Sequence, residues 1–298
     1  MKEIESVALI GLGAVGAVLG TRLQDTMPER FTVIADARRR QKLSREGIDF
    51  NGKQYDFSFA DGTGTKDLIL IATKSTALSE ALEAIAPYIG PDTSILSLLN
   101  GIDSEETVAG RFGAGHVLYS YFLGHPSMRQ ENRIVHDGVY RIYFGEADNR
   151  TLSDKVLRVC RLFDQAGIPY EIPPDMISAL WQKFIINIGC NQTTALLRRP
   201  YGHLQRNPEA LALAVRMMDE AAEVARRMNI GGAGEMVGHA VEAIRSMNPD
   251  GKSSMLQDVE AGRATEIGIF AGMLCRLAER VEYPVPWNRA ALQILSAL

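Results

Sequence analysis

A glycine motif directly after an apolar run is the strongest constraint on this chain, because residues 7–16 read V-A-L-I-G-L-G-A-V-G. The pattern G-x-G-x-x-G is typical of a β-strand that turns tightly into a helix and binds the pyrophosphate of a dinucleotide. Free N–H groups and the positive end of the helix dipole then face the phosphates. A glycine-rich turn that binds nothing is the alternative interpretation. We predict dinucleotide binding by Gly11, Leu12, Gly13, Ala14, Val15 and Gly16.

Composition and charge narrow the class of protein. The length of 298 residues predicts about two domains. The net charge of −4 gives no sign of nucleic acid or an anionic membrane as a partner, and no run approaches the ~18 apolar residues that cross a bilayer. Cys160, Cys190 and Cys275 are widely spaced and predict reduced thiols in a cytoplasmic protein without a metal site. We expect His125 and His136 to be structural residues rather than proton donors.

Strand-like and helix-like segments alternate in the first half of the chain. This alternation is typical of a doubly wound, mostly parallel α/β sheet of the Rossmann type. The turn pair Asp137-Gly138 separates strand-like runs at 134–136 and 139–143, which predicts a β-hairpin.

Helical spacing replaces the strand signals from about Pro174. We therefore predict a dinucleotide-binding domain in residues 1–170 and an all-α domain in residues 171–298, and we expect the substrate to lie between them, as in other two-domain nucleotide-dependent enzymes. The predicted helices are Met176–Leu197, Pro208–Met228, Glu235–Ser246, Met255–Val281 and Trp287–Leu298.

The choice of dinucleotide is ambiguous at the end of the second predicted strand. Asp36 stands about twenty residues after the glycine motif, where an acid accepts hydrogen bonds from the adenosine ribose and favours NAD. Arg38, Arg39 and Arg40 follow, and their guanidinium groups could bind the 2′-phosphate of NADP. A solvated helix start is the alternative interpretation of the arginines.

A polar row within an apolar helix is the main candidate for chemistry. Lys183, Asn187 and Asn191 are spaced by four in W-Q-K-F-I-I-N-I-G-C-N, so they share one helix face. Such groups cost free energy to bury unless they are paired, and they pair either within the core or with a ligand. Reducing a carbonyl creates an alkoxide, and a lysine can both protonate it and stabilise its charge.

Two further residues occupy positions typical of ligand binding, and a third is a candidate partner of Lys183. Lys74 and Asn100 each follow an apolar strand, at the sheet edge where ligands bind in parallel sheets. Asn100 precedes a glycine, so a plain turn is its alternative interpretation. Glu266 is the candidate carboxylate that orients Lys183.

These segments together resemble the ketopantoate reductase (2-dehydropantoate 2-reductase) family over almost the whole chain. The last two motifs are the most specific of the set. The resemblance rests on G-L-G-A-V-G, T-K-S at 73–75, L-L-N-G at 98–101, L-W-Q-K-F-I-I-N-I-G-C-N at 180–191 and S-S-M-L-Q-D-V-E-A-G-R-A-T-E-I at 253–267.

The resemblance implies NADPH-dependent reduction of 2-dehydropantoate (ketopantoate) to pantoate, a step towards pantothenate and coenzyme A. It implies a Rossmann domain followed by a helical domain like the C-terminal domain of 6-phosphogluconate dehydrogenase. The implied general acid is Lys183 and the implied catalytic glutamate is Glu266. The other implied site residues contact the cofactor (Lys74), the substrate (Asn187, Asn191 and Ser254) or both (Asn100).

The chain departs from the family pattern at three places. Tyr201 and Gly251 stand where some members have asparagines on the substrate side, and Asp36 replaces the arginine that binds the 2′-phosphate. We therefore hypothesise that NADH is used at least comparably to NADPH. A continuous helix would also separate Ser254 from Glu266 by about 18 Å, so either Gly262 interrupts it or one of the two residues acts indirectly.

The leading prediction is thus a reductase of a branched 2-oxo acid, with ketopantoate as the favoured substrate. Another branched 2-oxo acid or an imine on the same scaffold is the first alternative, and a nucleotide-sensing regulator without chemistry is the second. The apolar helical half could support a homodimer.

Overall fold

A computed structural model describes residues 3–124 and 128–298 of the chain. Its contacts form two compact units. The first unit comprises residues up to Leu99 together with Asp103–Met176, and the second comprises Asn100–Ile102 together with Ile177–Leu298. The predicted division into residues 1–170 and 171–298 stays a prediction.

The first unit is an α/β unit, as predicted. Its strands are β1 (Val7–Ile10), β2 (Phe31–Ile34), β3 (Ile48–Phe50), β4 (Lys53–Tyr55), β5 (Leu68–Ile71), β6 (Ser94–Ser97), β7 (Val117–Gly124), β8 (Met128–Gln130), β9 (Arg133–Val135), β10 (Tyr140–Gly145) and β11 (Tyr170–Glu171). Its helices are α1 (Ala14–Thr26), α2 (Ala37–Glu46), α3 (Leu78–Ile85), α4 (Ser104–Phe112) and α5 (Asp154–Ala166).

The main sheet places the glycine motif at its topological switch point. The strand order is β11-β10-β7-β6-β5-β1-β2, and β2, β1, β5, β6 and β7 run parallel. All residues of β1, β5 and β6 are buried, as expected of strands covered on both faces. Because β1 lies between β2 and β5, the chain changes sides at β1, and ligands bind beyond the carboxyl end of such a strand.

The predicted hairpin at 134–136 and 139–143 is wrong. In the described residues β9 pairs with β3 and β8 in a small second sheet, whereas β10 pairs with β7 and β11 in the main sheet. The Asn51 side chain binds the N–H and carbonyl of the buried His136, which holds this end of β9 beside β3. Ile142 and Phe144 instead pack in the core of the main sheet. His125 lies outside the described residues.

The second unit is helical, as predicted. Its helices are α6 (Met176–Leu197), α7 (Tyr201–Arg206), α8 (Pro208–Arg227), α9 (Met236–Ser246), α10 (Ser254–Glu260), α11 (Ala271–Arg280) and α12 (Pro286–Ser296). Its core includes Trp181, Phe184, Ile185 and Ile188 of α6. Among the residues the model covers, no helix has the length and apolar character to cross a bilayer.

The predicted single helix Met255–Val281 is wrong, because the chain breaks it after α10. Gly262 has a left-handed φ of 61°. Its N–H donates to Val259 O at 3.1 Å, and the Arg263 N–H donates to Asp258 O at 2.8 Å. This pair of bonds is the Schellman motif that ends a helix. Glu266 therefore lies outside any α-helix, immediately before a 3₁₀ turn at Ile267–Ile269.

Candidate active site

The glycine turn leaves no room for side chains. Gly11 has a φ of 96°, and a Cβ there would lie 2.6 Å from the carbonyl carbon of Ala72. A Cβ on Gly16 would lie 1.8 Å from the carbonyl oxygen of Gly11. Both glycines are therefore required for β1 to turn into α1 against the end of β5.

The start of α1 fits a dinucleotide pyrophosphate. Gly13 is the N-cap residue and has no side chain that could cap the helix, and the first turn of the helix contains no acidic residue. The first N–H groups of a helix have no partners within it, and the dipole there favours an anion. Backbone N–H groups, rather than side chains, are thus what this turn presents to phosphate.

Asp36 caps the next helix. Its Oδ1 accepts the Arg39 N–H at 2.7 Å at the start of α2. The Arg40 guanidinium donates to Ala60 O at 2.6 Å and lies 5.5 Å from the centroid of the Phe59 ring. Arg40 is therefore engaged within the first unit, whereas Arg38 is exposed.

Lys74 follows β5 beside the glycine turn. The Thr73 backbone nitrogen is 2.7 Å from the position that a Cβ on Gly11 would take. Lys74 comes next, is exposed, and is the N-cap of the 3₁₀ turn at Ser75–Ala77. The structure thus brings the predicted cofactor lysine next to the glycine motif.

The polar row on α6 forms as predicted, and Asn100 joins it within the second unit. The Lys183 Nζ donates to Asn100 Oδ1 at 3.2 Å. The Asn191 amide donates to Asn187 Oδ1 at 3.4 Å, and Asn191 is only 8% exposed. Three successive turns of α6 therefore carry the ammonium group of Lys183 and the amides of Asn187 and Asn191. The ammonium group is hydrogen-bonded to a third amide, that of Asn100.

A buried cluster of polar side chains links the two ends of the segment that carries Asn100. This cluster was not predicted from the sequence. The Ser97 hydroxyl donates to Ser104 Oγ at 2.8 Å, and Ser104 Oγ donates to Glu105 Oε2 at 2.8 Å. The other Glu105 oxygen accepts the Ser120 N–H at 3.3 Å. Ser97, Ser104, Glu105 and Ser120 are all buried. The sequence does show serines on either side of L-L-N-G, but a serine alone does not identify its hydrogen-bond partner.

The N-terminus of α10 is fixed to α6. Ser253 Oγ accepts the Leu256 N–H at 3.1 Å as the helix cap, and it shares a 2.7 Å hydrogen bond with Thr194 Oγ1. The predicted substrate residue, Ser254, is exposed at the first helical position. Thr194 and Ser253, which the sequence analysis did not single out, thus join the segments carrying Asn191 and Ser254.

Tyr201 and Gly251, the two departures that the family resemblance predicts to lie on the substrate side, are in contact. The Tyr201 N–H donates to Gly251 O at 3.0 Å, and a Cβ on Gly251 would lie 3.0 Å from Cδ2 of the Tyr201 ring. Cys190 of α6 is buried nearby, and burial raises the pKa of its thiol to about 12. The tyrosine ring therefore occupies space that a larger residue at 251 would need.

Two family models match two separate parts of the chain. The ketopantoate reductase PanE/ApbA model matches residues 7–149, and its C-terminal counterpart matches residues 175–298. The chain belongs to the ketopantoate reductase family. It is therefore an oxidoreductase of that family.

Individual relatives and solved structures are similar to this chain over nearly its whole length. A 2-dehydropantoate 2-reductase from Pyrococcus horikoshii is 28% identical over 95% of this chain and 93% of the relative. The crystal structure of 2-dehydropantoate 2-reductase from Geobacter metallireducens has a TM-score of 0.85 and 26% identity, and the match covers 98% of this chain and 99% of that one. A D-mandelate dehydrogenase solved with NADH and anilino(oxo)acetate has the same fold, with a TM-score of 0.85 at 21% identity, covering 98% of this chain and 97% of that one.

Proposed function

We propose that this protein reduces a branched 2-oxo acid to the 2-hydroxy acid with a nicotinamide dinucleotide, and that ketopantoate is its substrate. The observation that supports the proposal most directly is the Lys183 ammonium, held 3.2 Å from Asn100 Oδ1 on the helix face that carries Asn187 and Asn191. The similarity of the chain to proteins named 2-dehydropantoate 2-reductase is the reason for proposing ketopantoate rather than another 2-oxo acid.

The proposed roles follow from the chemistry of the groups. A bound nicotinamide dinucleotide supplies the hydride that reduces the carbonyl carbon. Lys183 donates its proton to the carbonyl oxygen as that oxygen takes up the electron pair, and its positive charge stabilises the developing oxyanion. Asn100 orients the ammonium through the observed bond. Asn187, Asn191 and Ser254 bind the acid, and Glu266 acts as the catalytic carboxylate.

The dinucleotide is proposed to bind at residues 11–16, with Lys74 and Asn100 as further contacts. The positive-φ turn at Gly11 and the uncapped start of α1 support this placement. The family relationship favours NADPH, whereas Asp36 favours NADH because its carboxylate repels a 2′-phosphate. Since the Asp36 side chain also caps α2, moving it aside for a phosphate would cost the helix its cap.

Oxidation of NADPH or NADH on addition of ketopantoate tests the proposed reaction. We expect absorbance at 340 nm to fall only when the acid is present, with pantoate as the product. A panel of other branched 2-oxo acids and imines separates the proposal from the first alternative. Dinucleotide binding without turnover of any acceptor would instead support the sensing regulator.

Cofactor preference is a separate prediction. We expect kcat/KM for NADH to be at least comparable to that for NADPH. Asp36→Asn keeps an oxygen for the Arg39 N–H and removes the negative charge, so it should raise kcat/KM for NADPH by about tenfold with little change in Tm. Measuring kcat/KM for NADH and for NADPH in the unmodified protein and in Asp36→Asn checks both expectations. A hundredfold preference of the unmodified protein for NADPH would reject the first of them.

A further inference from the structure

Glu105 is a buried carboxylate that the proposed reaction does not use. It is only 3% exposed, although it stands in the first turn of α4. A carboxylate costs free energy to bury unless hydrogen-bond donors replace its water. One Glu105 oxygen accepts the Ser104 hydroxyl at 2.8 Å, and the other accepts the Ser120 N–H at 3.3 Å. The carboxylate therefore joins the start of α4 to the middle of β7.

The same cluster ties the end of β6 to the start of α4. Ser97 is the last residue of β6, and Ser104 is the first residue of α4. The Ser97 hydroxyl donates to Ser104 Oγ at 2.8 Å, and the Ser120 hydroxyl donates to Ser97 O at 2.7 Å. Residues 98–103 therefore form a short loop whose two ends are held together by buried hydrogen bonds, and the Glu105 carboxylate is the acceptor at the end of that series.

The loop presents Asn100 to the proposed proton donor. Leu98 and Leu99 are buried at its start, and Gly101 turns it with a left-handed φ of 97°. Between them, Asn100 Oδ1 accepts the Lys183 ammonium at 3.2 Å. This distance is already at the long end of the range for a hydrogen bond, so a displacement of the loop by about 0.5 Å would break it. The direction of the ammonium group thus depends on where the loop is held.

We infer that Glu105 is a positioning residue for the reduction. Its carboxylate fixes the ends of the loop 98–103, and the loop in turn fixes Asn100 and the direction of the Lys183 ammonium. The inference rests on the proposed function and deepens it. A misplacement of about 1 Å at a reacting group can lower a rate by about a hundredfold. Because Glu105 has no part in the proposed chemistry itself, its loss should slow proton donation more than it weakens dinucleotide binding.

Glu105→Gln, compared with Glu106→Gln, provides the first test. Glutamine has nearly the same shape as glutamate, but it keeps one acceptor oxygen in place of two, so either the Ser104 hydroxyl or the Ser120 N–H loses its acceptor. We expect kcat for ketopantoate to fall by about tenfold, while dinucleotide Kd changes by less than about threefold. Glu106 is the exposed neighbour in the same turn, so Glu106→Gln makes the same change in charge and should leave both quantities unaltered.

A double-mutant cycle with Asn100→Ala separates positioning from stability. If Glu105 acts through Asn100, Glu105→Gln should lower kcat by no more than about twofold once the amide is absent. Its effect on Tm should persist in both backgrounds, because a buried donor loses its acceptor whether or not the amide is present. Ser104→Ala is a smaller change that removes the bond between the loop ends and leaves the carboxylate with Ser120. It should give the same pattern, and it replaces Glu105→Gln in the cycle if that variant does not fold.

Unchanged kcat in folded Glu105→Gln protein would overturn the inference. Equal losses of kcat with and without the Asn100 amide would also overturn it, since the carboxylate would then act independently of Asn100. So would an Asn100→Ala protein with normal kcat. These three results leave the proposed reaction intact, whereas an unmodified protein that reduces neither ketopantoate nor another 2-oxo acid would overturn the proposed function itself, and this inference with it.

Discussion

Replacement of Lys183 by alanine should lower kcat by about a thousandfold while leaving dinucleotide Kd nearly unchanged. The ammonium is the proposed source of the proton and of the charge that stabilises the oxyanion. Its bond to Asn100 would also be lost, which leaves the amide oxygen without that donor. Single-turnover rates and dinucleotide titrations on the same preparation measure the two quantities separately.

Lys183→Arg is the matched control, because arginine keeps the positive charge but does not release a proton at neutral pH. If proton donation is the main role, the arginine variant should be nearly as slow as the alanine variant. If charge alone matters, it should recover much of the rate. Unchanged turnover in Lys183→Ala would exclude this residue as the proton donor.

Replacement of Gly16 by alanine should weaken dinucleotide binding by about a hundredfold or more and lower Tm. The added Cβ would fall 1.8 Å from the Gly11 carbonyl oxygen, so the turn between β1 and α1 must open. An open turn no longer places its N–H groups together around the pyrophosphate. Fluorescence titration with NADH and NADPH, beside thermal unfolding, provides the measurement.

Gly110→Ala is the control for Gly16→Ala. Gly110 lies in α4 of the same unit, and a Cβ there meets nothing within 4 Å. Alanine in an exposed helix position should stabilise the protein by about 0.5–1 kcal/mol and leave Kd unchanged. Normal dinucleotide affinity in Gly16→Ala would contradict the proposed cofactor site.

Patterns that depend on local geometry could be predicted from the sequence. The glycine motif specifies a strand, a turn and a helix within ten residues, and the structure forms all three. The spacing of Lys183, Asn187 and Asn191 likewise places them on one face of α6. In both cases the information lies in neighbouring residues, because each position constrains the next through the backbone alone.

Features that depend on pairing between distant segments could not be predicted in the same way. Asp137-Gly138 is a strong turn signal, but it does not determine whether the strands on either side pair with each other. Because Ile142 and Phe144 are buried in the core of the main sheet, the two strands do not pair with each other. Glu105 similarly gained its role from Ser120, fifteen residues away along the chain and on another element.

The end of α10 at Gly262 removes a constraint on the evolution of the site. Along an unbroken helix, any residue gained or lost between Ser254 and Glu266 would rotate one of them by about 100° and turn it to another face. With a loop between the two, the length of residues 263–265 can change while α10 keeps its cap and its contact with α6. If Glu266 and Ser254 have the proposed roles, the reach of the carboxylate can change without altering the helix that carries the serine.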